Sequence, residues 1–108
     1  RLRLRQILEN LISNAIAVTP AGEEVVVRAR SEDGHTVFEV EDRGPGVEPG
    51  RISEIFAPYA SSRAGRDAGR RGLGLFIAKR LAELHEGSVE IRNNDGVGAT
   101  FSVRIPGE

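Results

Sequence analysis

Apolar residues recur along the first stretch of the chain at helical spacing. In LRLRQILENLISNAIA (2–17), Leu4, Ile7, Leu8, Leu11, Ala15 and Ile16 fall three or four residues apart or side by side, the stripe of a helix with one buried face. Thr19-Pro20 ends it, because the residue before a proline avoids helical backbone. The period then shortens. EEVVVRAR (23–30) and HTVFEVED (35–42) are rich in residues that favour strands, and Asp33-Gly34 between them is a hairpin signal. GPGVEPG (44–50) reads as a loop, RISEIF (51–56) as a short helix, and the small, polar and basic residues 60–72 as a second loop. Helical spacing returns from Leu73 to His85, with Leu73, Ile77, Leu81 and Leu84 along one side and Gly87 positioned to close the C-terminus. SVEIRNN (88–94) and ATFSVRIP (99–106) form a second hairpin across DGVG. Helix, hairpin, loop, helix, hairpin predicts an α+β fold. We expect a two-layer sandwich, its sheet mixed but mainly antiparallel, with the helices packed on one face.

Composition narrows the class without naming a chemistry. The 108 residues fit a single domain over 1–108, and a 39% hydrophobic share supplies one modest core. A net charge of −1 gives no bulk attraction to nucleic acid or to a membrane surface. The chain has no cysteine, hence no disulfide framework and no thiolate metal site. It has no apolar run near the ~20 residues of a membrane span and no signal-peptide pattern. The expectation is a cytoplasmic domain without direct membrane contact. Residue 1 already lies inside a helical pattern and is not methionine, so the chain reads as a piece of a longer protein.

Four places break the rules of their own elements. Gln6, Asn10 and Asn14 recur every fourth residue and so share one stripe of the first helix. Asparagine is a weak helix former whose amide competes for backbone groups. Such a stripe is either ordinary surface or a face that touches a polar ligand or metal. In TVFEVED, Phe38, Val40 and Asp42 share one side of the strand. If the first two face the core, the carboxylate is aimed inward too, at a cost unless it is hydrogen-bonded. It either caps the turn at RGPG or accepts from a ligand donor, for which an exocyclic amine such as adenine's is suited. Gly44-Pro45-Gly46 follows but does not continue as a dinucleotide fingerprint, and the chain contains no P-loop. Last, RRGLGLFIAKR (70–80) puts Gly72 and Gly74 at a helix start beside Arg70 and Arg71, with Arg63 and Arg66 upstream. Glycine costs a helix about 1 kcal/mol relative to alanine. The pair either turns the chain or bares backbone N–H groups for an anion.

Taken together and in order, these segments resemble the ATP-binding catalytic domain of sensor histidine kinases, part of the wider group that holds the gyrase and heat-shock chaperone ATPases. RQILENLISNA looks like that family's N box, EDRGPGV its G1 box, IFAPYASSR its F box, RGLGLFIAKRLAELHEG its G2 box and helix, and GVGATFSVRIP its closing glycine motif and last strand. The likeness covers nearly all of the chain. It implies ATP and Mg²⁺ as cofactors, with Asn14 on the metal and Asn10 a second contact from the same stripe. Asp42 would accept the adenine amino group, and Gly44 and Gly46 would let the chain pass close to the base. Phe56 would anchor the start of a lid, Arg63 would reach the γ-phosphate, and Gly72 and Gly74 would offer N–H groups to phosphate. Val47, Arg70, Arg71, Leu73, Leu75 and Thr100 complete the implied nucleotide site.

The implied reaction is phosphoryl transfer to a histidine, which depends mostly on positioning and charge neutralisation. Chaperone-type hydrolases have a water-activating glutamate where Asn10 stands, and an amide is a poor general base. Transfer is therefore expected over hydrolysis, with Asn10, Asn14 and Arg63 as the catalytic set. Neither His35 nor His85 resembles a phosphoacceptor. The acceptor histidine is expected on a dimeric domain before residue 1, with a response regulator downstream, and this stretch alone should not autophosphorylate. Ala17 and Val18 stand where the family has a basic and an aromatic residue. Arg70 and Arg71 replace a glycine and a small residue, Glu86 a glycine, and Ala99 a frequent threonine. These departures leave two other readings, a non-catalytic nucleotide- or partner-binding module and an anti-sigma-type serine kinase.

Overall fold

The computed structural model describes residues 4–48, 50, 54–56, 74–94 and 96–106. It contains helix α1 (Leu4–Val18), strands β1 (Val26–Glu32) and β2 (His35–Glu41), helix α2 (Gly74–Leu84), and strands β3 (Ser88–Asn93) and β4 (Ala99–Pro106). The strands form one sheet in the order β1-β2-β4-β3, with every neighbouring pair antiparallel. The helices lie over β2, β4 and β3. This is the expected two-layer α+β sandwich, and its described strands include no parallel pair.

Asp33 and Gly34 have φ of 51° and 79°, both positive, as a two-residue type I′ turn requires. That turn carries the ladder to Glu32↔His35, so β1 ends two residues later than the composition of 23–30 suggests. Its start moves to Val26 because that residue pairs with Glu41, the last of β2. Register then builds the core in rows across the sheet. Ala29, Phe38, Val103 and Val89 form one row, and Val27, Val40, Phe101 and Ile91 the next. Val40, Phe101, Val103 and Val89 are buried against Ile7, Leu11 and Ala15 of α1 and Leu75, Ala78 and Ala82 of α2. Across α2, alanines occupy the centre of the buried stripe. Ile77 and Leu81 are half-buried at its margin, and Leu84, at the helix end, is 69% exposed. Ile16 of α1 is likewise exposed. Both residues fit the helical spacing and yet stand exposed.

The C-terminus of α2 closes by paired bonds, Gly87 N–H to Ala82 O at 2.8 Å and Glu86 N–H to Glu83 O at 2.9 Å. The residue in left-handed backbone is Glu86, at φ 64°, not Gly87. Gly87 is required for another reason, since a side chain there would meet the Arg104 carbonyl. The short helix expected over 51–56 and the loop over 60–72 lie largely outside the described residues.

The sheet's other face is polar. Arg28 pairs with Glu41 at 2.8 Å, Arg30 with Glu32 at 3.1 Å and Glu39 at 3.2 Å, Arg92 with Glu39 at 3.8 Å, and Arg104 with Glu32 at 3.4 Å. Of these side chains, Arg30, Glu39, Arg92 and Arg104 border a groove of about 180 Å³ over Val37.

Candidate functional site

The α1 stripe fixes the geometry. Asn10, Asn14 and Val18 stand four residues apart and so lie along one side of the helix. At one end, Asn10 faces the start of α2: a methyl group placed on Gly74 would lie 3.9 Å from the Asn10 Oδ1. At the other end, Val18 presses on the loop after β2, its Cγ2 2.7 Å from where a Gly44 side chain would begin. Asn14 sits between. It is 94% buried by the complement of its 6% exposure, yet neither its Oδ1 nor its Nδ2 has a hydrogen-bond partner, and the Asn10 Nδ2 is also buried without one. An unmade bond of this kind costs about 1–3 kcal/mol. Three such atoms on one stripe single out this helix face. The first turn of α2, beside Asn10, carries no acidic side chain, and its backbone N–H groups form the positive end of the helix dipole.

Asp42 confirms the strand-phase argument, since it is fully buried. Its Oδ1 accepts from Gly44 N at 2.9 Å and Ala99 N at 3.1 Å, while its own N–H donates to Ala99 O at 2.9 Å. The carboxylate therefore does cap the following turn, and it is buried in the helix-side face as well. Gly98 makes this possible. It has φ 88°, and a side chain there would collide with the Asp42 backbone carbonyl.

The loop 43–47 is pinned on both flanks. Arg43 N donates to Thr19 Oγ1 at 3.0 Å. Val47 N donates to Asn93 Oδ1 at 2.9 Å, and Asn93 Nδ2 donates to Val47 O at 2.7 Å. In this structure Gly44 and Gly46 make their close approaches to Val18 and Asn93. Motif reading missed Thr19 and Asn93, and singled out Val18 only as a departure from the family's aromatic residue. The available signal for Asn93 was its phase, with Val89 and Ile91, on the helix side of β3.

Other expected site residues fall in different places. Val47 and Leu75, each 4% exposed, are core residues. Phe56 packs edge-on to Phe101 with centroids 6.1 Å apart, and Lys79 Nζ stands 5.6 Å over its ring, which ties residues 54–56 to α2 and β4. Thr100 is not brought to Asp42. Strand alternation puts it opposite Ala99, and its hydroxyl donates to Asn94 Oδ1 at 2.6 Å. Arg63, Arg70, Arg71, Gly72 and Leu73 lie outside the described residues. His35 directs Nδ1 to Asp33 O at 3.1 Å in the hairpin. Among the described residues no three His, Asp or Glu side chains gather to hold a metal, and no helix is long and apolar enough to cross a membrane.

Comparison with known proteins finds the same fold. The family described as histidine kinase-, DNA gyrase B-, and HSP90-like ATPase matches residues 1–108. The sensor protein SrrB of Staphylococcus aureus is 33% identical over 106 residues, which cover 96% of this chain and 18% of SrrB. The chain thus spans about a fifth of that relative's length. Full-length ShkA, solved in complex with AMPPNP, superposes with a TM-score of 0.81 and 38% identity over 96% of this chain and 21% of ShkA. The mycobacterial sensor histidine kinase MprB superposes with a TM-score of 0.88 and 28% identity, over 97% of this chain and 72% of that one.

Proposed function

The chain belongs to the histidine kinase-, DNA gyrase B- and HSP90-like ATPase family, and from that premise we propose that it binds Mg-ATP and passes the γ-phosphoryl group to a histidine on a phosphoacceptor domain of the same kinase. The observation that carries this reading is the buried, unpartnered amide of Asn14, midway between the start of α2 and the loop after Asp42. From Asn10 to Val18 the helix rises about 12 Å at 1.5 Å per residue, room for a nucleoside and its phosphates. ShkA, similar over the whole of this stretch, was solved with AMPPNP.

In this reading the Asp42 carboxylate accepts the base amine and Gly74 opens the phosphate end. Asn14 Oδ1 fits Mg²⁺, being a buried neutral oxygen without a partner. Among the described residues no cluster of acidic side chains gathers there, and this reading gives the ion phosphate oxygens and water as its other ligands, its usual company. Bound Mg²⁺ supplies charge neutralisation on the phosphates. Asn10 takes the second polar contact, and, as an amide, does not activate water. Arg63, Arg70, Arg71 and Gly72 are assigned to the phosphates on the family resemblance. The partners that follow are a dimeric histidine-bearing domain and a response regulator, in the cytoplasm.

The test is calorimetric titration with ATP and Mg²⁺, followed by incubation with a separately supplied acceptor domain. Saturable, Mg²⁺-dependent binding and a labelled acceptor histidine are expected. Absence of binding at millimolar ATP would overturn the reading, and binding without transfer would reduce it to a nucleotide-responsive module.

A further inference from the structure

The rows that build the core continue one step past it. After Val40, Phe101 and Ile91, the next row on the helix side is Asp42, Ala99 and Asn93. Asp42 bonds to Ala99 through its backbone, and Ala99 pairs with Asn93. The row is polar at both ends and apolar in the middle. Its two polar members grip the same loop from opposite sides. Asp42 Oδ1 takes Gly44 N, and Asn93 takes both backbone groups of Val47. An asparagine amide holding the N–H and C=O of one residue reproduces a strand pairing with a side chain, where no strand continues. Gly46, at φ 78°, lies between the two grips and against the Asn93 Oδ1. The shape of 44–47 is therefore set by Asn93 as much as by its own glycines.

We infer that Asn93 is a positioning residue for the nucleotide site: it holds Gly46 and Val47 so that the segment following Asp42 keeps the form the base needs. This rests on the proposed ATP site and goes beyond it, because Asn93 belongs to none of the motifs that carry the family resemblance. Asn93 acts through Val47 and need not touch the ligand.

The experiment measures ADP affinity, with Mg²⁺, for the wild type, Asn93→Ala, Asn93→Asp and Asn93→Ser, with thermal melting of each and amide exchange at Val47. Asn93→Ala should weaken ADP about tenfold, as expected for losing a pair of neutral hydrogen bonds, and should speed Val47 exchange. Asn93→Asp keeps the size and the acceptor but loses the donor to Val47 O, so it should also weaken ADP. Asn93→Ser restores one hydroxyl able to donate and accept, and should recover part of the loss. Packing alone would leave serine no better than alanine. Wild-type binding matched by folded Asn93→Ala, or serine no better than alanine, overturns this inference and spares the ATP site. No ADP binding by the wild type removes both.

Discussion

On the open face of the sheet, Arg28 meets Glu41 and Arg30 meets Glu32 and Glu39, all within 3.2 Å. In the helix layer on the other side, the Asn10 Nδ2 and both amide atoms of Asn14 are buried and meet no partner. The first set lies at the surface, its arginines exposed and its carboxylates partly so, where ion pairs contribute little and need no reason beyond solubility. The second set is buried, where an unmade hydrogen bond is expensive. A protein selected for stability alone would fill the Asn14 position with leucine. Polar groups kept buried and unpaired are better evidence of a ligand than charges that satisfy one another, even when the charged surface has a groove of its own.

The contrast can be broken from its strongest point downward. Gly98→Ala should lower unfolding stability by about 3 kcal/mol, because the new side chain meets the Asp42 carbonyl at a left-handed position; denaturant unfolding measures it. Asp42→Asn keeps an oxygen for the Gly44 and Ala99 N–H groups, so the fold should survive. ATP binding should nevertheless weaken about a hundredfold through loss of the charged acceptor, as read by calorimetry. On the open face, Arg30→Ala should change stability by no more than about 0.5 kcal/mol and leave ATP affinity unmoved. A loss of nucleotide binding there would erase the distinction between the two faces. The smallest effect is one of pH. A hydrogen bond from Arg30 holds the Glu32 carboxyl below its usual range. Its small stabilisation is then present above the ordinary carboxylate pKa and lost as pH falls through the lower folded value. Melting of Glu32→Gln and wild type should therefore converge toward acid pH.

Much of this was legible where chemistry and geometry are local. The alternation of Phe38 and Val40 required Asp42 to point inward, and it does. Asp33-Gly34 named its own turn, and the four-residue spacing of Asn10 and Asn14 named a shared stripe. What escaped involves contacts between distant segments. No spacing in the first helix tells that Val18 will press on Gly44, or that Asn93 will hold Val47 from 46 residues away. Thr100 enters the expected site only through the family resemblance, and its strand phase turns it to the other side from Ala99, toward Asn94. Leu84 and Ile16 kept helical spacing but stand exposed, because spacing marks a face and not how far the packing against it extends. Glu86 takes the left-handed closing position, and Gly87 is needed instead for its close passage by the Arg104 carbonyl.

The measurement closest to the central claim is the melting of Asn14→Leu beside wild type, with and without Mg-ATP. Without ligand, removing two buried unpartnered amide atoms should leave the variant as stable as wild type or about 1 kcal/mol more so. With saturating Mg-ATP, wild type should gain stability through binding to the folded state and the variant should gain little. A variant that is destabilised when empty, or that keeps the full nucleotide shift, would contradict the account.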